Sequence, residues 1–246
     1  MKVAVAGAGG RMGRTVLEAV RADRSLALAA ALDVAADPAS GITSDLGAIA
    51  GADVLIDFTR PEGTLAHLRH CKAIVIGTTG FSETQEKSIR EAARRMPIVM
   101  SPNFAVGVNV LFRLAQTAAG ALGDAYDVEI VEAHHRHKLD APSGTALKLG
   151  ELVASALKRN LQKEAKHGRH GDTGERPVKQ IGFHAIRGGD IVGEHTVIFA
   201  GTGERVELTV RSQSRMTYAA GALRAAKWLK GRAAGLYDMG DVLGLK

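Results

Sequence analysis

The fold is decided by Lys2-Val3-Ala4-Val5-Ala6-Gly7-Ala8-Gly9-Gly10-Arg11-Met12-Gly13, which follows the first residue of the chain. The apolar run up to Ala6 predicts a buried strand, and a helical pattern begins at Arg11. Glycines between a strand and a helix permit a tight turn, and they let backbone N–H groups approach a pyrophosphate at the positive end of the helix. The stretch therefore predicts a dinucleotide-binding turn, with a purely structural turn as the alternative. Met12 stands where the strict fingerprint has its third glycine, and that glycine comes one residue later, at Gly13.

The first hundred residues alternate short apolar runs with helical patterns. The apolar runs are predicted to be buried parallel strands, apolar on both faces, at Lys2–Ala6, Leu26–Leu32, Val54–Phe58, Ala73–Ile76 and Ile98–Met100. Helices are predicted between them at Arg11–Arg21, Pro61–His70 and Ser82–Arg95, and Ser82 with Gln85 matches a capping box. This alternation predicts a doubly wound, Rossmann-type sheet.

The pattern changes after about residue 104. A helix is predicted at Val106–Leu122, a strand at Tyr126–Ala133 and a helix from Ser143, and residues 217–230 return to a helical pattern. Three strand-like runs without intervening helices predict a mixed or antiparallel sheet: Gln180–Ile186, Gly193–Phe199 and Val206–Ser212. The basic, apolar-poor segment Lys158–Pro177 is predicted to be a mobile loop. We therefore expect an α/β chain with a Rossmann-type dinucleotide-binding domain at 1–104 and 216–246, and a second α+β domain with a mixed sheet at 105–215.

The composition indicates which kinds of partner the protein can bind. The net charge of +6 is compatible with nucleic-acid binding, but aromatic residues make up only 4%, so base-stacking platforms are scarce. An anionic small molecule explains the basic stretch 134–138 equally well, and we expect no nucleic-acid partner. The apolar start is too short for a signal-peptide core, and no run approaches the roughly 20 apolar residues of a membrane span. Since the single cysteine, Cys71, also suits a reducing compartment, we expect a cytoplasmic protein with no membrane partner.

Three further segments lie where the predicted parallel strands end. Asp33 follows the second strand and is placed to accept hydrogen bonds from ribose hydroxyls, or it is merely a turn residue. Its carboxylate would repel a 2′-phosphate and so favours NAD over NADP, a preference that Arg11 could soften. Gly77–Gly80 and Ser101–Phe104 end the fourth and fifth strands and would reach the crevice in which ligands of such folds bind. Each of these two segments could also be an ordinary loop.

The basic cluster His134–Lys138 is the densest group of chemically active side chains in the chain. It is predicted to continue a strand, so that alternate side chains face opposite sides. Neighbouring strand positions cannot all reach one ion and companion cysteines are absent, so we predict no metal site. Imidazoles can transfer protons and a lysine can bind a carboxylate, which favours an anion pocket with proton donors. A solvated basic rim is the alternative.

A predicted helix start follows the basic cluster closely. Ser143 has the character of an N-cap, which would present the N–H groups of Gly144 and Thr145 and the Thr145 hydroxyl to a ligand. Such a helix end binds a carboxylate well. A well-capped structural helix is the alternative.

Together these segments resemble the dihydrodipicolinate reductase family, whose members are also described as 4-hydroxy-tetrahydrodipicolinate reductases. The resemblance spans nearly the whole chain and rests on Glu132–Ala146, on the glycine-rich turn with Gly10–Gly13, and on Asp57–Thr59, Gly77–Gly80, Ser101–Phe104 and Gly235–Met239. It implies NADH- or NADPH-dependent reduction of a small dicarboxylate, 4-hydroxy-tetrahydrodipicolinate, to tetrahydrodipicolinate in diaminopimelate and lysine biosynthesis. It also implies a homotetramer built through the second domain's sheet.

The resemblance further implies residue roles. His134 would be the proton donor or acceptor and Lys138 a second donor, while His135, Gly144 and Thr145 would hold the substrate. The nucleotide contacts would come from Gly7, Ala8, Gly9, Gly10, Arg11, Met12, Asp33, Gly77, Thr78, Thr79, Ser101, Pro102, Asn103 and Phe104. Many family members carry an arginine directly after the acidic ribose ligand, whereas this chain has Val34, which leaves recognition of a 2′-phosphate to Arg11. Two other functions stay open from the residues alone: a reductase of another amino-acid-derived imine, and an NAD(H)-sensing regulatory protein.

Overall fold

The structure is a computed structural model that describes residues 1–245, and its chain forms two compact units. The first unit comprises Met1–Val106 together with Arg215–Lys246, and the second comprises Gly107–Ser214. Each unit contains one sheet.

The sheet of the first unit has seven strands, all parallel, in the order β12-β6-β5-β4-β1-β2-β3. The strands are β1 (Lys2–Ala6), β2 (Ala27–Leu32), β3 (Ile42–Thr43), β4 (Val54–Asp57), β5 (Ile74–Ile76), β6 (Pro97–Met100) and β12 (Gly235–Tyr237). The helices are α1 (Arg11–Ala22), α2 (Pro61–His67), α3 (Glu83–Ala92), α7 (Met216–Leu229) and α8 (Met239–Leu243). The carboxyl ends of β1, β2, β4, β5 and β6 therefore lie along one edge of the sheet.

Helices cover both faces of this sheet. Val3 and Val5 of β1 belong to one buried cluster with residues of α1 and α7, whereas Ala4 and Ala6 belong to another with residues of α3. The alternation follows from the period-two geometry of a strand, which sends successive side chains to opposite faces. The predicted doubly wound architecture is confirmed.

Two features of this unit differ from the sequence prediction. The strand β2 is not buried throughout, because Ala27 and Ala29 are exposed and its outer neighbour β3 contains only two residues. The short elements β3, β12 and α8 were not predicted as a strand or a helix. The capping box of α3 is present as expected, with the Ser82 hydroxyl accepting from the Gln85 N–H and the Gln85 side chain accepting from the Ser82 N–H.

The second unit has a five-stranded sheet in the order β11-β10-β7-β9-β8. Its elements are α4 (Val106–Leu122, whose first residue belongs to the first unit), β7 (Asp127–His134), α5 (Gly144–Ala156), α6 (Leu161–Glu164), β8 (Ala165–His167), β9 (Ile181–Arg187), β10 (Gly193–Ala200) and β11 (Arg205–Ser212). The pairs β7–β9 and β8–β9 are parallel, while β7–β10 and β10–β11 are antiparallel. The prediction of a mixed sheet is confirmed.

Two predictions in this unit were wrong. The segment 158–177 is not a single loop, because it contains α6 and β8. Two of its arginines are held by a strand residue, since Arg169 and Arg176 both donate to the Glu129 carboxylate. The basic cluster also does not continue the strand, because β7 ends at His134 and residues 135–138 form a turn in which the Lys138 N–H donates to the His135 carbonyl. A basic, glycine-rich composition thus concealed order that depends on partners distant in sequence.

No helix within residues 1–245 is long and apolar enough to cross a membrane.

Candidate functional site

The glycine turn of the first unit is shaped by close backbone approaches. Gly7 has φ +77°, and a Cβ at this position would lie 2.4 Å from the Phe58 carbonyl oxygen. A Cβ on Gly13 would lie 1.9 Å from the Gly7 carbonyl oxygen. Gly13 therefore provides the close contact between helix and turn that the third glycine of the strict fingerprint provides, and Met12 does not interrupt the motif.

The start of α1 has the features of an anion site. Gly10 is its N-cap and supplies no capping side chain, and its first turn contains no acidic residue. Arg11 is exposed in that turn and adds a positive charge to the positive end of the helix. Backbone N–H groups at such an end bind phosphate oxygens.

Asp33 closes one side of the glycine turn. Its Oδ2 accepts a hydrogen bond from the Gly9 N–H at 2.9 Å, and its Oδ1 accepts from the Val34 N–H at 2.8 Å. Val34 itself is 96% exposed. The carboxylate is thus fixed beside the turn, and each of its oxygens retains a lone pair for a further donor.

Phe58 joins the remaining nucleotide-site segments to the glycine turn. Its carbonyl oxygen lies against Gly7. Its ring lies so close to Gly77 that a Cβ on that glycine would be 2.1 Å from Cε1 of Phe58. The ring centroid is 5.9 Å from that of Phe104. The first unit therefore brings the three predicted segments together at the carboxyl edge of its sheet. Phe58 was predicted as the end of a strand and as part of a family motif, and its central position was not predicted.

Several predicted nucleotide residues direct their side chains into the protein. Thr78 is buried, and its hydroxyl donates to Asp57 and accepts from the Thr59 N–H. The Phe104 ring belongs to the core, and the Ser101 hydroxyl donates to the Asn103 carbonyl. Nucleotide contacts at Thr78 and Phe104 would therefore use the backbone. Ala8 is likewise buried, in the glycine turn. By contrast, Thr79 and Pro102 are exposed.

In the second unit, His134 is held by a buried glutamate. Its Nδ1 lies 2.6 Å from Oε2 of Glu132, which is two residues earlier on β7 and is 1% exposed. The other carboxylate oxygen of Glu132 accepts from the Ser143 N–H at 3.1 Å. Glu132 therefore connects the predicted proton donor with the start of α5.

The helix start has the geometry that the sequence predicted. The Ser143 hydroxyl accepts from the Ala146 N–H and caps α5, and it also lies 3.0 Å from Nε2 of His195. Gly144 is exposed and Thr145 is half-buried at the first two positions of the helix. The N-terminal end of α5 thus lies next to the group that includes His134.

Lys138 lies in the turn that follows β7. Its Nζ donates to Oδ1 of Asp140 at 2.9 Å, and its side chain retains 21% exposure. His135 is half-buried, and its ring centroid is 6.2 Å from that of His137, which is exposed. The turn keeps Lys138 accessible to a ligand, in contrast to the buried His134.

Burial and ion pairing set the protonation of this group. Burial lowers the pKa of His134, while the hydrogen bond that its ring donates to Glu132 opposes that effect. Burial alone would raise the pKa of Glu132, but hydrogen bonds from Arg187 and His134 outweigh it and lower the pKa. Burial lowers the pKa of His195 to about 4, so this ring is neutral at neutral pH. At neutral pH the group therefore holds an ionised carboxylate beside His134 and a second, neutral histidine, His195.

Comparison with known proteins decides the family. Residues 1–104 match the family model for the N-terminus of dihydrodipicolinate reductase, and residues 107–243 match that for its C-terminus. The chain belongs to the dihydrodipicolinate reductase family. The predicted family, and with it the oxidoreductase class, is confirmed.

Individual relatives are similar to this chain along its full length. A 4-hydroxy-tetrahydrodipicolinate reductase of Thiobacillus denitrificans is 56% identical over all of this chain and 99% of its own length. One of Burkholderia ambifaria is 55% identical over the whole of both chains. A solved structure of dipicolinate-bound dihydrodipicolinate reductase from Paenisporosarcina sp. TG-14 superimposes with a TM-score of 0.76 at 25% identity, covering 97% of each chain.

Three polar residues around His134 in this member of the dihydrodipicolinate reductase family were not predicted. Glu132 was part of the quoted motif without a role, and Arg187 and His195 were not singled out. One signal was available for Glu132: it lies two residues before His134 on a predicted strand, so both face the same side. Arg187 and His195 reach the group only through strand pairing, which the sequence does not specify. Within residues 1–245, no cluster of three or more His, Cys, Asp or Glu side chains has an arrangement suited to a metal ion.

Proposed function

We propose that this chain reduces 4-hydroxy-tetrahydrodipicolinate to tetrahydrodipicolinate, using NADH or NADPH, in the pathway to diaminopimelate and lysine. The observation that carries the proposal is family membership over both units, with relatives named as reductases of this substrate that are more than half identical over the full chain. The overall change is loss of one water, gain of a hydride and gain of one proton by the substrate. The chain must therefore bind a dinucleotide, bind a dicarboxylate and supply a proton.

The residues of the first unit fit a nicotinamide dinucleotide. The uncapped start of α1, with glycine at its N-cap and Arg11 in its first turn, suits the pyrophosphate. The fixed carboxylate of Asp33 suits the hydroxyls of the adenosine ribose. Exposed Thr79 and Pro102 and the backbones around them suit the remainder of the cofactor. When bound, the reduced cofactor supplies the hydride.

The choice between NADH and NADPH depends on Asp33 and its surroundings. A carboxylate beside the ribose repels a 2′-phosphate, and the exposed Val34 offers no positive charge to compensate. Arg11 is the nearby candidate that can attract the phosphate. We therefore assign NADH as the preferred donor, with NADPH also used.

The residues of the second unit fit a dicarboxylate substrate. The N–H groups at Gly144 and Thr145, at the positive end of α5, suit one carboxylate. His135 and Lys138 suit the other, because both lie in the turn after β7 and Lys138 is accessible. The solved relative from Paenisporosarcina carries dipicolinate, a planar dicarboxylate, which supports this class of ligand.

The proton comes from His134 or Lys138. Hydride addition to the conjugated ring leaves an electron pair that develops on the imine nitrogen, and a nearby acid must neutralise it. His134 is held by Glu132, and Lys138 carries a positive charge that also stabilises the developing negative charge. We assign both as catalytic residues.

The oligomeric state and the cellular location are proposed on the same ground, membership of the family. We assign a homotetramer formed through the sheet of the second unit, whose edge strand β11 carries half-buried Val206, Leu208 and Val210 in alternation with exposed residues. We assign a cytoplasmic location, which suits a biosynthetic oxidoreductase with a single cysteine.

The function is tested by following oxidation of NADH by the purified protein. The substrate is the freshly made condensation product of pyruvate and aspartate semialdehyde, and unrelated imines and aldehydes serve as comparison substrates. We expect oxidation only with the condensation product. Turnover of another imine alone would indicate a different reductase, and NADH binding without any turnover would indicate a nucleotide sensor.

A further inference from the structure

Glu132 is the centre of a buried hydrogen-bond network in the second unit. Arg187 donates from both terminal nitrogens to the two carboxylate oxygens, each at 2.7 Å. The same carboxylate meets His134 Nδ1 at 2.6 Å and the Ser143 N–H at 3.1 Å. Four contacts thus converge on one side chain that is 1% exposed.

Strand register brings this network together. His134 and Arg187 are direct partners in the parallel pair β7–β9, and Glu132 and His195 are direct partners in the antiparallel pair β7–β10. Since directly paired residues point to the same face of a sheet, all four side chains share one face. Arg187 also donates to the Asp140 carbonyl and so joins β9 to the segment that leads into α5.

The network determines which nitrogen of His134 carries a proton. An ionised carboxylate has only acceptors, and the two-pronged contact with Arg187 keeps Glu132 ionised. His134 Nδ1 must therefore donate, which leaves Nε2 as the nitrogen that gains and loses a proton. His195, whose ring centroid lies 5.1 Å from that of His134, is neutral and does not compete for the proton.

We propose that Glu132, held in place by Arg187, is a positioning residue that fixes His134 as the Nδ1–H tautomer, stabilises its protonated form and so directs proton donation from Nε2. The inference rests on the proposed function. In the step concerned, the Nε2–H bond of protonated His134 breaks and the proton joins the electron pair that hydride addition has placed on the substrate. Neutral His134 keeps its Nδ1–H bond to Glu132 and regains a proton from solvent.

The proposal distinguishes Glu132 from a purely structural ion pair. A structural role would affect folding and leave the tautomer of His134 unconstrained. A positioning role requires that the carboxylate accept from Nδ1, with Arg187, Lys138 and His195 as the other charged or titratable groups facing the ring. Glu132→Gln separates the two, because it removes the charge and replaces one of the two acceptor oxygens by an NH2 donor. The Ser143 N–H can only donate and needs the remaining oxygen, whereas His134 Nδ1 can give up its proton and accept from the NH2.

The matched control is Glu129→Gln. Glu129 lies on the same strand and is also paired with arginines and a histidine, namely Arg169, Arg176 and His184. It does not contact His134. We expect Glu132→Gln to lower kcat roughly 10²-fold or more with little change in KM, as for loss of general-acid function, and Glu129→Gln to keep the wild-type kcat.

The second measurement is nitrogen NMR of histidine-labelled protein, with the His134 signal assigned by comparison with His134→Gln. We expect the neutral ring to carry its proton on Nδ1 in the wild type and on Nε2 in Glu132→Gln. The wild-type spectrum decides the tautomer even where Glu132→Gln does not fold. A proton on Nε2 of neutral wild-type His134, or wild-type kcat in Glu132→Gln, would overturn the proposal. Because the spectrum needs no turnover, failure of the reductase assay alone would instead count against the proposed function.

Discussion

The carboxylate of Asp33 accepts a hydrogen bond from the backbone N–H of Gly9 at 2.9 Å. This contact joins the end of β2 to the glycine turn after β1, so the residue proposed to bind the ribose also supports the turn. A second contact, from the Val34 N–H, fixes the other oxygen. A substitution that removes the whole carboxylate would therefore disturb the turn as well as the proposed coenzyme contact.

Asp33→Asn separates these two roles. The amide oxygen can still accept from Gly9, but the negative charge that repels a 2′-phosphate is removed. We expect kcat/KM for NADH to fall roughly tenfold, as for a weakened hydrogen bond to a charged group, and that for NADPH to fall less or to rise. Steady-state kinetics with both coenzymes measure the ratio. An unchanged ratio would show that Asp33 is only a turn residue.

Gly13→Ala tests the close contact between α1 and the glycine turn. A methyl group there would lie 1.9 Å from the Gly7 carbonyl oxygen, so the turn or the helix must move. We expect destabilisation of about 1–3 kcal/mol and weaker NADH binding. Chemical denaturation and direct NADH titration measure the two effects.

The control is Gly120→Ala. Gly120 is exposed in α4, and a Cβ there would meet nothing within 4 Å. We expect it to leave NADH binding unchanged and to stabilise the protein by about 0.4–1 kcal/mol, because alanine favours the helix. Equal NADH affinity in Gly13→Ala and wild type would separate the turn from the nucleotide site.

Thr145→Val tests the start of α5 as the carboxylate site. The change keeps the shape of the side chain and removes its hydroxyl, so the hydrogen bond proposed to a substrate carboxylate is lost. Such a bond contributes about 1.5–3 kcal/mol, and we expect KM to rise roughly tenfold or more. Thr196→Val is the control, since Thr196 pairs with Thr209 on the neighbouring strand. Equal KM values in the two variants would remove the helix end from the substrate site.

Lys138→Met distinguishes proton delivery from substrate binding. Lys138 is accessible, and its Nζ donates to the exposed Asp140 in the same turn, so it can serve either purpose. We expect kcat to fall roughly 10²-fold or more, with NADH binding intact, as for loss of a general acid. His134→Gln should show the same pattern. A raised KM with nearly normal kcat would instead identify Lys138 as a residue that only binds substrate.

The sequence was sufficient to predict those helices and strands in which a hydrophobic pattern extends over several residues. The helix α4 was predicted with its observed bounds, and the strands β1, β4, β5 and β6 were placed within one residue at each end. The two-residue β3 and three-residue β12 were missed because such short strands carry no detectable period. Their pairing is set by the neighbouring strands of the sheet.

The residues of the candidate site show the same difference between those that a local pattern predicts and those that it does not. Ser143 as N-cap follows from a local pattern and has the predicted geometry. Asp33 was singled out by its place at a strand end, and its role toward the ribose stays a prediction. Arg187 lies more than fifty residues after His134, and no local pattern links the two. Only the parallel register of β7 and β9 places them side by side. The polar groups that orient a site are therefore harder to predict than the residues that carry its motif.

The central claim is hydride transfer to the dihydrodipicolinate ring, and isotope transfer tests it most directly. The protein is given NADH deuterated at the transferable position, together with the fresh condensation product of pyruvate and aspartate semialdehyde, and the products are analysed by mass spectrometry. We predict tetrahydrodipicolinate that carries one deuterium for each NADH oxidised. Oxidation of the coenzyme without deuterated tetrahydrodipicolinate, or no oxidation at all, would contradict the account.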